Sequence, residues 1–207
     1  SELTLTSGLA AVIFSTIVVM NMLNGAIFLK NRLELRVVIG AVLGLSGIIL
    51  IFWPEVSDFE TGSENLFAAT LAVLATFLAS LGNIASARNQ REGIPVVQSN
   101  TYGMTYGAML MLVLAWSTGH EFNFEFTVSY VSSLVFLSVF ASIIAFWSYL
   151  TLLGRVGVER AAYATLIFPL VALGISTIFE GYQWSAYAVI GIVLILGGNL
   201  LILKRSI

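Results

Sequence analysis

The chain has no cysteine, one histidine, three prolines and little charge: Asp, Glu, Lys and Arg together make up 10% of its 207 residues. Without cysteine there is no disulfide framework, thiol nucleophile or thiolate metal site, and no clue to redox compartment. The single histidine, His120, stands beside Glu121 and near Glu125 in a polar segment, which fits a solvated loop better than a metal site. Soluble domains carry about a quarter charged residues, so the low charge excludes an ordinary soluble fold. Nor is a basic face left for nucleic acid, since the net charge is −2 and the charges are sorted among the short segments between apolar runs. In place of charge there is apolar surface: 58% of residues are hydrophobic, and the mean hydropathy is +0.97.

That apolar material falls into seven runs, Leu9 to Leu29, Val37 to Trp53, Leu66 to Ala87, Pro95 to Trp116, Val128 to Leu152, Ala161 to Phe179 and Trp184 to Leu203. Each is near the roughly 20 residues that a helix needs to cross a bilayer. Helices satisfy their own backbone in hydrocarbon, and unbroken apolar runs exclude the alternation of a membrane barrel, so the fold class is an all-α membrane protein. Trp53, Trp116 and Trp184 stand at span edges, as an interfacial aromatic belt requires, and Pro95 opens a span where its missing N–H costs nothing. The first run is too long for a cleavable signal, and its basic residues follow it.

The connecting segments alternate in charge. Lys30, Arg32 and Arg36 are followed by Glu55, Asp58, Glu60 and Glu64, then by Arg88 and Arg91, then by His120, Glu121 and Glu125. Arg155 and Arg160, Glu180, and finally Lys204 and Arg205 complete the series. All nine cations therefore fall in odd-numbered gaps. Under the positive-inside rule these gaps face the cytoplasm, which places the Ser1 end outside and the Ile207 end inside.

A repeat underlies the spans. Ala10 to Phe52 aligns without gaps onto Ala161 to Leu203, so that Ile27-Phe28 meets Ile178-Phe179, Val38-Ile39-Gly40 meets Val189-Ile190-Gly191, and Gly47 meets Gly198. Five spans separate equivalent points, and an odd number turns the second copy upside down. The inner turn Lys30-Asn31-Arg32 then corresponds to the cation-free outer turn Gly181-Tyr182-Gln183. On this reading residues 1–64 hold the last two helices of a first five-helix repeat and residues 65–207 a complete second one. About 85 residues and three helices are then expected ahead of Ser1, making ten helices in all.

The run Tyr149-Leu150-Thr151-Leu152-Leu153-Gly154-Arg155-Val156-Gly157-Val158-Glu159-Arg160-Ala161-Ala162 resembles the link between the eighth and ninth helices of the EamA type of the drug/metabolite transporter superfamily. Pro169 matches that family's mid-helix proline, Glu180 its near-terminal acid, and Ile190-Gly191 through Gly197-Gly198 its last glycine-bearing helix. Ser7-Gly8-Leu9-Ala10-Ala11 resembles the family's entry to helix four. The first copy departs from the pattern, with Val18 opposite Pro169 and Leu29 opposite Glu180. Among subfamilies the chain is most similar to the YddG-type exporters of aromatic amino acids. The resemblance implies a bacterial inner-membrane exporter of small metabolites, amino acids among them, with no cofactor, no metal and no enzymatic activity. It also implies that the helices beginning near Leu9, Val128 and Ala161 rock against the pair beginning near Leu66 and Pro95, with those beginning near Val37 and Trp184 at the periphery.

The residues themselves suggest where a solute passes. Asn21 and Asn24 share a face of the first span; Thr76, Ser80 and Asn83 form a stripe on the third; Ser99, Tyr102 and Tyr106 do so on the fourth. Ser138, Ser142 and Tyr149 lie along the fifth, with Trp147 nearby, and Tyr163 begins the sixth. Buried amides and hydroxyls need partners or water, and Tyr and Trp offer flat walls with one polar handle for amino acid side chains. The candidate substrate residues are therefore Asn21, Asn24, Ser80, Asn83, Tyr102, Tyr106, Ser142, Trp147, Tyr149 and Tyr163, with Pro169 as a helix bend serving gating. Hydroxyls in membrane helices also bond their own backbone, Trp147 and Tyr149 also fit an interfacial belt, and Gly40, Gly44, Gly191 and Gly197 fit close helix packing.

No carboxylate or histidine stands mid-span, so these helices favour facilitated export over proton exchange, the alternative. A seven-helix receptor shares the orientation but does not predict an inverted repeat. A retinal protein needs a buried lysine, and Lys30 and Lys204 are both at span ends.

Overall fold

The computed structural model describes residues 5–59, 62–119, 123–179 and 184–203. Regular structure among them is helical throughout: α1 (Ser7–Ser15), α2 (Ile17–Leu29), α3 (Leu35–Ile51), α4 (Trp53–Ser57), α5 (Ser63–Arg91), α6 (Val96–Ser117), α7 (Val128–Phe136), α8 (Phe146–Val156), α9 (Val158–Phe179) and α10 (Ala186–Leu203). A π-helical stretch, Leu137–Ala145, joins α7 to α8, and α1 runs into α2, so seven long helical stretches result and match the seven expected spans to within a few residues. Three of them, Gly8–Leu29, Ser63–Arg91 and Val128–Val156, are long and apolar enough to cross a bilayer unaided among the described residues. Leu35–Ile51 and Ala186–Ile202 are apolar but shorter, and α6 carries Gln98, Ser99, Asn100, Thr101 and Thr105 in its first half, so its composition is less apolar than its length suggests.

Local chemistry sets the breaks. Ser15 and Thr16 donate their hydroxyls back to Val12 O and Ile13 O, both at 2.6 Å, and such back-bonding bends helices; α1 gives way to α2 there. α5 ends in a glycine-capped turn, with Gly93 at φ 80° and the Ile94 N–H donating to Asn89 O at 2.9 Å. Pro95 then precedes α6, as its missing donor requires. Thr6, Thr127 and Ser185 cap the first turns that follow them with their hydroxyl oxygens.

Two compact units divide the chain: Ser1–Ile84 with Val156–Ile207, and Ala85–Arg155. The core of the first is built by Ile17, Val18 and Met22 of α2, Val37, Ala41, Ile48 and Ile51 of α3, Ala162, Tyr163, Leu166 and Leu173 of α9, and Ile195 and Ile202 of α10. At its centre α3 and α10 touch through glycine. A Cβ at Gly47 would lie 2.5 Å from Gly191 O, and a Cβ at Gly191 would lie 2.5 Å from Gly47 O; Gly40 and Gly198 oppose each other in the same manner at 3.1 and 2.9 Å. Only glycine permits backbones so close. Gly44 receives Leu166 of α9. Gly197, expected to be a close-packing position, has nothing within 4 Å of where its Cβ would be. Helical rotation puts Gly198, one residue on, at the contact instead, turning Gly197 to a different face.

The second unit comprises the end of α5, α6, α7, the π stretch and α8 up to Arg155. Met109, Leu110, Met111, Leu112, Val113 and Leu114 form an unbroken run on α6 in which every side chain is exposed. Consecutive residues cover all sides of a helix, so an apolar environment is required all round. Composition, helix lengths and this exposure make the chain a multi-pass membrane protein. Of the sequence expectations, Glu60, His120, Glu121, Glu180, Lys204, Arg205 and the turn at 181–183 lie outside the described residues, as does the Pro169 side chain; the backbone of α9 is helical through position 169.

Candidate functional site

In the first unit, the polar stripes predicted on two separate spans meet. Asn21 and Asn24 lie on one face of α2, and Thr76, Ser80 and Asn83 follow helical spacing on α5. Asn24 donates its amide to Ser80 Oγ at 2.9 Å, and Asn83 Nδ2 donates to Asn21 Oδ1 at 3.4 Å. All four side chains are buried, Asn21 and Ser80 completely. Thr76 is buried too, but its hydroxyl returns to Ala72 O of its own helix, the packing role open to such residues.

The cluster is not saturated. Asn21 Nδ2 is buried and has no hydrogen-bond partner among the described residues. Leaving an amide donor unpaired in an apolar interior costs about 1–3 kcal/mol by the scale of protein substitutions. The hydrogen-bonded members of the cluster, Asn21, Asn24, Ser80 and Asn83, carry no ionisable group, so what Asn21 offers is a neutral donor to an oxygen acceptor. Asn199 Nδ2 on α10 and Thr151 Oγ1 on α8 are likewise buried without partners among the described residues, and neither was a candidate from sequence.

Tyr163, on the first turns of α9, is buried with its hydroxyl donating to Val37 O of α3 at 2.7 Å. Its polar handle is thus engaged within the protein, tying α9 to α3. Tyr163→Phe should lower thermal stability in detergent by about 1 kcal/mol, the net worth of one such bond, and an unshifted melting curve would show the bond to be idle.

Nearby, the segment between α2 and α3 meets the start of α9. Asn31 Nδ2 donates to Glu159 Oε1 at 2.5 Å, Arg160 Nη2 lies 3.1 Å from Glu34 Oε1, and Arg36 Nη2 lies 3.5 Å from Glu34 Oε2. The Arg160 and Glu34 side chains are 47% and 45% exposed, so their ion pair is worth about 0–1 kcal/mol. Two of the segments that carry cations therefore lie at one end of this unit. Sequence reading missed the acids among them, Glu34 and Glu159, because the charge alternation drew attention to the cations alone; each acid next to or near an arginine was the available signal.

The second unit holds the remaining candidates. Ser99 accepts from Asn89 Nδ2 at 2.7 Å, joining α6 to the end of α5. Tyr102 and Tyr106 are exposed on one face of α6, their rings stacked with centroids 6.4 Å apart. Ser142 lies in the π stretch and donates to Leu137 O five residues back at 3.2 Å, so its hydroxyl serves its own helix. Trp147 is exposed and Tyr149 half-buried on α8. Gln90 reaches from α5 to donate to Leu150 O at 2.9 Å and fills the space a side chain at Gly154 would need.

The EamA-like transporter family matches residues 66–204. Protein PagO of Salmonella typhimurium is 22% identical over 205 residues, which cover 97% of this chain and 66% of that protein. An uncharacterized transporter of Clostridium kluyveri is 24% identical over 193 residues, covering 93% and 62% respectively. The chain thus spans somewhat less than two thirds of the length of these relatives. A solved crystal structure superposes with a TM-score of 0.77 at 20% identity, covering 95% of this chain and 67% of that one, and so shares its fold. With the match extending over most of the chain, across α5 to α10, this protein belongs to the EamA-like transporter family, a family of transporters and not of enzymes.

Proposed function

We propose that the protein exports small metabolites, amino acids with aromatic or other neutral side chains among them, by alternating access between two inverted five-helix repeats. Residues 1–64 then supply the last two helices of the first repeat and residues 65–207 the second, in a bacterial inner membrane with the C-terminal end cytoplasmic. The observation that carries this reading is the glycine contact between α3 and α10. At the offset of 151 residues that aligns the copies, Gly40 corresponds to Gly191 and Gly47 to Gly198. Exchanging the copies therefore turns the Gly40–Gly198 contact into the Gly191–Gly47 contact, and both are present. A twofold relation between inverted halves requires that reciprocity, and it is what lets one site open to either side.

The amide and hydroxyl cluster of Asn21, Asn24, Ser80 and Asn83 supports a polar point of passage within the first unit, where Asn21 Nδ2 is a donor without a partner among the described residues. Tyr102, Tyr106, Trp147 and Tyr149 offer aromatic surface suited to apolar side chains. Liposome counterflow across a panel of amino acids, with and without a pH gradient, tests the proposal. Exchange of a neutral amino acid that ignores the gradient is expected. Exchange of none of the panel overturns the substrate class, and exchange driven by the gradient replaces facilitated export with proton antiport.

A further inference from the structure

The α2–α3 turn is held to the start of α9 by contacts that the passage of a solute does not explain. α2 ends on Lys30 in the left-handed backbone region, at φ 54°, a conformation disfavoured for a residue with a Cβ. The turn it makes carries Asn31 to Glu159 and Glu34 to Arg160. Gly25 makes room: a Cβ there would lie 2.6 Å from Glu159 Oε1 and 3.4 Å from Asn31 Nδ2. On the other side, Gly157 turns the chain into α9 at φ 93°, a position suited to glycine, and the Glu159 carboxylate folds back over it, with Oε2 3.3 Å from where its Cβ would be. Two glycines, one on each segment, thus flank a single carboxylate.

We propose that the Asn31–Glu159 and Glu34–Arg160 pairs form a latch that closes this end of the first unit and parts in every transport cycle. The inference rests on the alternating-access reading above and adds the contact that alternation must break. In that reading the α2–α3 turn belongs to the first repeat and α9 to the second, so the latch parts as the repeats separate at this end; the helices beginning near Leu9 and Ala161 then do not move as one body, a departure from the grouping that the resemblance implies. The chemistry suits repeated opening. Asn31, Glu34 and Arg160 are not fully buried, and water replaces each lost hydrogen bond when the segments part. The glycine contact of α3 with α10 is of the opposite kind, since backbones packed at that distance have no substitute partner in lipid. One contact is built to stay and the other to open.

The absence of cysteine allows a clean test in the full chain. Asn31→Cys with Glu159→Cys places two thiols at the latch and no others among residues 1–207, and a short bifunctional thiol reagent can bridge them in reconstituted liposomes. Bridging is expected to abolish solute exchange and reduction of a cleavable bridge to restore it, while each single cysteine variant continues to exchange in the presence of reagent. Efficient bridging with undiminished exchange overturns the latch and leaves the transport reading standing. Failure to bridge overturns it as well, because the turn would then not lie against α9. Absence of exchange by the unsubstituted chain overturns the transport reading, and the latch with it.

Discussion

Leucine in place of Gly47 should destabilise the folded chain by about 3 kcal/mol or more, at the upper end of what overpacking costs, and leucine in place of Gly191 should do the same. The Cβ at 47 would meet Gly191 O at 2.5 Å, Ile195 Cγ1 at 2.7 Å and Ile195 N at 3.2 Å; the Cβ at 191 would meet Gly47 O, Ile51 Cγ1 and Ile51 N at the same three distances. Two of each three atoms are backbone, which cannot move aside unless the helices separate. Separation would in turn uncover Ile48 and Ile195, both fully buried. Gly197→Ala, one residue from Gly198 but facing open space, should be neutral or gain up to about 1 kcal/mol from helix propensity. Thermal unfolding in detergent, read with the recovery of monodisperse protein, checks all three. Equal melting of Gly47→Leu and wild type would mean that α3 and α10 do not pack as described.

Replacing Asn21 and Asn83 together by leucine should cut exchange about tenfold or more, equivalent to about 1.4 kcal/mol, with no fall in the amount of protein in the membrane. Removing one partner of a buried pair strands the other, whereas replacing both with apolar residues of similar size removes the Asn21–Asn83 bond without stranding either amide. In lipid such pairs contribute little to folding, averaging about 0.6 kcal/mol. The double variant should therefore be as stable as the parent, and its deficit should lie in transport alone. If these amides only pack helices, the double variant will exchange at the parent rate, and the assignment of the cluster fails. Exchange lost together with stability would point to the same structural role.

Much of this arrangement was legible in the chain because lipid imposes simple rules. A helix in hydrocarbon must be about 20 residues long, so the runs from Leu9 onward gave seven helical stretches nearly at their observed bounds. The stripe of Thr76, Ser80 and Asn83 was visible because helical spacing places them on one face. Its meaning was not, since the same spacing gave no reason for Thr76 to bond Ala72 while Ser80 and Asn83 reach α2. Gly197 and Gly198 are equivalent in composition and one residue apart, yet only one lies at the contact. Glu34 and Glu159 lie 125 residues apart in sequence and belong to different segments, so nothing local announced that Arg160 and Asn31 would bring them to one end of the first unit.

By itself the sequence determined that the chain is helical and lipid-solvated, where its spans begin and end, and how its charges sort between gaps, and it supplied the alignment at an offset of 151 residues on which the proposed repeat rests. Each of these depends on residue type along the chain, through transfer from water and helical period, without reference to any partner. The tertiary structure alone decided which faces meet: Asn24 with Ser80, Gly47 with Gly191, Asn31 with Glu159. A helix specifies the angle at which a side chain leaves its axis, but the neighbour it finds depends on the rotation, depth and approach of a second helix, and those are set by packing the whole unit at once.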